Sequence, residues 1–307
     1  VFARYKYHLL LHLIIFVWGY TGILGKQILL EPIKIVWFRV LIAFVSLAIG
    51  LKLLKRPVRI HARKQLLATL GVGLIVAVHW FTFYQSIYLS TASLGVLCLS
   101  TTTLHVTWLE PIVMKRKFSW FEFSLGAIVI YGIYVVSENF SAQDYEALAY
   151  GLTSALCAAL FSVFNARLAK DGVPSSSLTI HEMGMGLVFL SVVLLFQGKL
   201  TPDLFIMRWK DFWLLLFLGV ICTSVAFLLT IDVVKRLGAF TVSLSINLEP
   251  VYTIILAILI LKENKELGSN FYVGAGLIIL VVITNALIKY YLSKRTSSGT
   301  LQNAKDH

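Results

Sequence analysis

The run TVSLSINLEPVYTIILAILIL, from Thr241 to Leu261, contains a single charged residue, Glu249, placed directly before Pro250. Holding an ionisable side chain inside an apolar helix in lipid costs about 3 kcal/mol or more, which makes it a candidate functional group by default. Pro250 denies the carbonyl of Ile246 its usual helical donor and kinks the helix. A carboxylate beside a freed carbonyl can hold a cationic group or carry a proton. The plain alternative is a structural carboxylate, paired to a neighbouring helix or facing water without acting, and the sequence weighs the two equally. Asn247, two residues earlier, points to the opposite side of the helix and suits a helix–helix hydrogen bond.

Other ionisable groups lie in apolar surroundings. His181 and Glu182 are adjacent, and a histidine–glutamate pair in a membrane suits a proton site, because small shifts carry histidine across neutral pH. Arg39 sits at the equivalent depth of an earlier apolar run and could pair with Glu182 or with a substrate carboxylate; its alternative is to snorkel to an interface or lock two helices. His79 and His105 lie in two further runs. Thr101, His105 and Trp108 follow at four- and three-residue steps and share one helical face. Trp18 and Phe161 take similar places in the two halves of the chain, as pocket walls or as packing. Pro111 lies inside a run, like Pro250.

The elements that position these groups follow from composition. Of 307 residues, 58% are hydrophobic and only 14% charged, where a soluble domain keeps roughly a quarter charged. The apolar residues come in runs of about twenty, the length that crosses about 30 Å of hydrocarbon as a helix. Ten such runs are expected, near 8–27, 32–54, 65–88, 93–114, 120–138, 146–168, 176–197, 210–233, 239–261 and 268–291. They are continuous rather than alternating, which favours helices over a barrel. The first is read as a retained span rather than a cleaved signal. The segment 292–307, polar and rich in serine, reads as a disordered cytoplasmic tail. Trp120, Trp209 and Trp213 sit at run ends as interface anchors.

The net charge of +12 falls between the apolar runs, so it reports topology and not nucleic-acid binding. With the N-terminus in the cytoplasm, 19 of the 27 Lys and Arg residues lie inside, as the positive-inside rule requires, and both termini of this multi-pass inner (plasma) membrane chain are cytoplasmic. Cys98, Cys157 and Cys222 show neither disulfide nor zinc spacing. No cofactor and no metal is implied, and no phosphate-binding loop occurs. Pro32 and Arg39 match Pro174 and His181 at an offset of 142; Ala92-Ser93 match Gly238-Ala239 at 146; LGAIVIYGI from Leu125 matches VGAGLIILV from Val273 at 148. An ordered series over two five-helix halves, each with an odd number of spans, implies inverted repeats at 8–138 and 146–291.

The chain resembles the EamA-like family of the drug/metabolite transporter superfamily. The resemblance is carried by FVWGYTGILGK at 16–26, EPIKIVWFRVLIA at 31–43, GLTSALCAALFSVFNARLAK at 151–170, and above all by residues 236–282, with the proline-containing ninth span, Glu263 just after it and a glycine-rich tenth span. It implies an all-α integral membrane fold of ten helices in two inverted five-helix repeats, and movement of small metabolites, amino acids leading. The first half departs from the pattern: Leu104 stands opposite Pro250 and Lys117 opposite Glu263. Pro111 lies seven residues beyond Leu104, so the fourth span is expected to kink nearer the cytoplasm.

The expected function is a secondary transporter, exporting its substrate through a midplane site between the repeats. Its partners are a small-molecule substrate and the lipid bilayer; protons and a second copy of the chain stay open. An intramembrane enzyme lacks a GxSxG or HExxH motif, and a non-transporting scaffold or receptor subunit lacks a soluble partner-binding domain.

Overall fold

In a computed structural model the chain is all-helical among the residues described, 2–237 and 239–303. The side chains of 2–4, 139, 239, 240, 243, 244, 286 and 289–303 are outside that description. The helices are α1 (Phe2–Gln27), α2 (Pro32–Leu53), α3 (Arg63–Leu89), α4 (Ala92–Leu99), α5 (Thr102–Met114), α6 (Trp120–Val136), α7 (Ala142–Lys170), α8 (Ser175–Phe196), α9 (Trp209–Leu216), α10 (Ala226–Leu237), α11 (Ala239–Ile246), α12 (Glu249–Leu256) and α13 (Ser269–Asn303). Wide π turns at Phe217–Val225 and Ala257–Leu261 join α9 to α10 and extend α12. Seven segments are long and apolar enough to cross a membrane, and Trp120–Val136, Glu249–Leu261 and Ser269–Asn285 are shorter apolar helices. Helix α13 is continuous to Asn303, past the boundary expected at 291; its side chains beyond Ile288, and all of 304–307, where the expected tail ends, lie outside the described residues.

The outer surface of the bundle is greasy. Trp120 is 75% exposed and Trp209 72%, a pattern that water would penalise and a bilayer solvates. Inside, Val36, Val40, Ala43 and Leu47 of α2 join Met183, Leu190 and Leu194 of α8 in one dry core. Helices meet closely where a side chain is missing. A Cβ on Gly73 of α3 would stand 2.8 Å from the carbonyl oxygen of Glu182, and one on Gly132 of α6 3.1 Å from that of Gly274 of α13. Backbone-to-backbone contact of this kind is how small residues bind membrane helices together.

The packing partners form a recurrent set. Helix α3 lies against α7 and α8, α1 against α10 and α12, α2 against the π turn and α8, α5 against α7, α6 against α13, and α4 against α12. Exchanging each element with its counterpart half a chain away returns most of this set, with α3–α7 becoming α10–α1 and α5–α7 becoming α12–α1, while α4–α12 has no such counterpart among the pairs named.

Two rods are interrupted. Between α4 and α5 the amides of Ser100 and Thr101 reach back only three residues, to Leu97 and Cys98, and the Thr101 hydroxyl takes the Cys98 carbonyl at 2.6 Å. Between α11 and α12 the amide of Leu248 reaches back to Ser245 in the same way. The two breaks occupy equivalent positions, although only the second has a proline. Pro111, where the sequence led to an expected kink, lies inside α5 and not at this break. The hydroxyl-rich stretch STTT breaks the helix instead, because its side chains compete for backbone carbonyls.

Candidate functional site

Arg39 anchors the centre. Pro32 opens α2 at its first turn, where a missing N–H is harmless, and Arg39 follows two turns later, 5% exposed. Its Nε donates to Thr223 Oγ1 at 3.1 Å and Nη1 to the Tyr84 hydroxyl at 3.3 Å, while the guanidinium carbon lies 3.9 Å from the centre of a Trp80 ring. Trp80 and Tyr84 are four residues apart on α3 and present one face. Thr223 reaches Arg39 because the π turn widens the helix there: its hydroxyl bonds the carbonyl of Leu218, five residues back, and Ser224 bonds that of Gly219. Such turns recur at functional sites. The expected Arg39–Glu182 pair is not formed, and Arg39 has no ion pair among the described residues. A buried guanidinium held by neutral groups keeps its charge available to a ligand.

Glu249 lies within the electrostatic reach of that charge. It is the first residue of α12, half-buried, with Pro250 buried behind it at a helix start that tolerates proline. Its carboxylate has no hydrogen bond among the described residues. Its carbonyl accepts the Thr253 hydroxyl at 3.0 Å, and the same hydroxyl reaches the carbonyl of Gly19 on α1 at 3.0 Å. Helix α1 can come this close because position 19 is glycine: a Cβ there would stand 3.0 Å from Thr253 Oγ1.

His79 also lies in the field of Arg39. It is buried, with Nδ1 2.9 Å from both the carbonyl and the hydroxyl of Ser154, and Phe161 tilts against it at 5.4 Å between centroids. The remaining candidates are elsewhere. His181 turns its Nδ1 to the carbonyl of Ser177 on its own helix at 2.8 Å, leaving its neighbour Glu182 buried on α8 beside Asn165 of α7. Thr101 is buried at the α4–α5 break; His105, edge-on to Trp108 at 6.4 Å, leads along α5 to a Trp108 that is 37% exposed. Trp18 packs on Phe227 of α10 at 6.0 Å. Pro111 is partly buried within α5.

The structure therefore places His79 and Glu249 within electrostatic reach of Arg39, with Phe161 against His79. Sequence reasoning missed Trp80, Tyr84, Thr223 and Asn165. The aromatics had a signal, the spacing of Tyr84 from Trp80; Thr223 had none, because its reach depends on the π turn. No group of three or more His, Cys, Asp or Glu side chains that could hold a metal occurs among the described residues.

One end of the bundle is tied. Both carboxylate oxygens of Glu263, which is 3% exposed, accept backbone amides at the start of α4: Ala92 at 2.8 Å and Ser93 at 3.0 Å. Lys26 of α1 donates to the carbonyl of Ser90, whose hydroxyl donates to Asp144 of α7 at 2.7 Å. Beside these ties a cavity of about 490 Å³ is lined by Ser90, Thr91, Asp144, Glu266 and Asn270 among others.

Comparison with known proteins agrees with this architecture. The model of the EamA-like transporter family matches twice, over residues 5–138 and 146–287. A Bacillus subtilis (strain 168) protein described as the uncharacterized transporter YyaM is 26% identical over 232 residues, covering 72% of this chain and 73% of that one. A solved crystal structure, titled only as that of a protein, superposes with a TM-score of 0.64 at 14% identity, covering 94% of this chain and 98% of the other, and so shares the fold. With two matches that together take in most of its length, this multi-pass helical chain belongs to the EamA-like transporter family.

Proposed function

We propose that the chain is a ten-span secondary transporter that exports a small zwitterionic metabolite, an amino acid or a close relative, across the cytoplasmic membrane. The observation that carries this reading is the buried Arg39 guanidinium, within electrostatic reach of Glu249, neither side chain having an ion pair among the described residues. A substrate carboxylate takes the guanidinium, which offers planar donors suited to carboxylates, and its ammonium takes Glu249. Trp80, His79 and Phe161 line the same centre. The α11–α12 rod breaks directly before Glu249, and discontinuous helices are where transporters of this build hold substrate.

Packing partners that mostly return to themselves under exchange of the halves support two inverted repeats, at 8–138 and 146–291. Rocking one against the other exposes the site alternately to each side. The Lys and Arg count places both termini and the Lys117 end in the cytoplasm and the Glu263 end outside; export as the direction rests on the family resemblance. Counterflow in proteoliposomes tests the reading: preloaded unlabelled amino acids accelerate entry of the same labelled compound. Arg39→Gln and Glu249→Gln each abolish it, whereas a wild-type protein that exchanges none of the amino acids refutes the substrate class.

A further inference from the structure

Glu182 is 5% exposed on α8, and its Oε1 has no hydrogen-bond partner among the described residues. The carboxamide of Asn165 on α7 lies against this carboxylate, and the Asn165 Oδ1 is equally buried and equally without a partner. The Asn165 N–H groups can donate to one carboxylate oxygen. The two oxygens left over are both acceptors, and buried acceptors require a donor.

A single hydrogen satisfies both. If Glu182 is a carboxylic acid, its O–H donates to Asn165 Oδ1 while Asn165 N–H donates to the other carboxyl oxygen, closing a ring of two hydrogen bonds. No cation among the described residues is placed to take the role. On α8, His181 is turned to the Ser177 carbonyl; on α2, Arg39 is held by Thr223 and Tyr84, Lys34 lies in the first turn by Glu31 and Lys52 is exposed; on α3, His79 is bound to Ser154, and Arg63 and Lys64 are exposed. On α7, Arg167 pairs with Asp171 and Lys170 is exposed; on α10, Asp232 pairs with Arg56, and Lys235 and Arg236 are exposed. Glu182 itself takes part in no ion pair among the described residues.

We infer that Glu182 and Asn165 form a proton-binding site, in which Glu182 is held as the neutral acid and its proton is the coupling ion of transport. The coupling half of this inference rests on the transporter reading above; the binding half does not. The step is a proton association alone, COO⁻ plus H⁺ giving COOH, with no other bond made or broken. Its leverage comes from Gly73, where the backbones of α3 and α8 touch at Glu182. Loss of the proton leaves both oxygens without a donor between α7 and α8 and favours an arrangement that lets water or a cation reach them. Proton occupancy thereby biases two packings of the same helices.

Infrared spectroscopy of the purified protein in lipid nanodiscs reads the proton directly. At neutral pH the wild type shows the carbonyl stretch of a buried carboxylic acid that Glu182→Gln removes, Asn165→Ala shifts, and Glu249→Gln leaves in place. Glu182→Gln keeps the fold, since its amide N–H replaces the O–H toward Asn165 Oδ1, and monodisperse elution with an unchanged melting temperature confirms that. Identical carbonyl regions in wild type and Glu182→Gln overturn the site, as does a Glu182 signal that responds to sodium at fixed pH instead of to pH. In proteoliposomes Glu182→Gln retains counterflow but loses about tenfold or more of the accumulation driven by a pH gradient, the scale of a typical coupling; equal accumulation overturns the coupling half. If the wild type exchanges no amino acid, the transporter reading fails while the spectra still decide the proton site.

Discussion

The two interrupted rods sit at equivalent places in the two halves, yet they are finished differently. The α4 start is clasped by Glu263, whose two oxygens accept two backbone amides. A negative charge at a helix N-terminus is favoured both by the orphan amides and by the helix dipole. The position matching Glu263 in the first half is Lys117, which is exposed and has no acceptor to offer the start of α11. In a pair of repeats expected to exchange roles, one end is therefore latched by a carboxylate and the other lacks that latch. Under the alternating access proposed above, this asymmetry favours the state in which the Glu263 end is shut, and opening that end requires the cap to be remade or solvated.

Breaking the latch gives the largest expected effect. Glu263→Ala strands two buried amides, at about 1–3 kcal/mol each, and its melting temperature in detergent falls well below that of Lys117→Ala, which stays within about 0.5 kcal/mol of wild type. Equal melting of the two variants removes the asymmetry. Next is Gly73→Ala, which drives a methyl group into the Glu182 carbonyl and costs about 1–3 kcal/mol by overpacking. Gly71→Ala, one turn-fraction away on α3 with open space around it, gains up to about 1 kcal/mol by helix propensity. A protease-resistance or thermal series that ranks them the other way contradicts the close approach of α3 and α8.

Pro250→Ala sharpens the likeness of the two breaks. The α4–α5 break forms without proline, so the α11–α12 break survives in the variant and stability changes by less than about 1 kcal/mol; hydrogen exchange at Asn247 and Leu248 slowed to that of helix interior would show that proline made the break. The smallest effect is at the Glu263 end, where Lys199 donates to Glu31 at 2.6 Å. That hydrogen bond holds the Glu31 carboxyl below the usual carboxylate range, so its contribution is present above the unfolded carboxyl value and is lost as pH falls through the lower folded value. Both partners are more than a third exposed, at 47% and 41%, so Glu31→Gln costs a few tenths of a kcal/mol at neutral pH (about 0.2–0.5) and nothing in acid. A variant that melts with the wild type at every pH discards the pair.

Helical class, the placement of most apolar segments and the isolation of Glu249 and Arg39 were legible in the residues, because lipid punishes every charge and every open backbone bond within a span. Pro250 marked one break but no proline marked the other: Pro111 lies further along, inside α5, and it is a hydroxyl back-bonding to a carbonyl that accompanies the break at Thr101. Glu263 could be picked out in the sequence, but its task could not, since its partners at Ala92 and Ser93 are some 170 residues away. Likewise Arg39 was visible as a buried charge, but its contacts with Thr223 and Tyr84 were not, and the Glu182 partner considered for it is not the one it meets.

What the sequence by itself determined is therefore the solvent each segment must face, because that depends on composition over a window of about twenty residues. Which charges meet was decided only by tertiary structure. Arg39 finds Thr223 through a π turn, and Glu182 finds Asn165 instead of its neighbour His181, because each partnership depends on the rotation and depth of packed helices, which a local pattern does not encode.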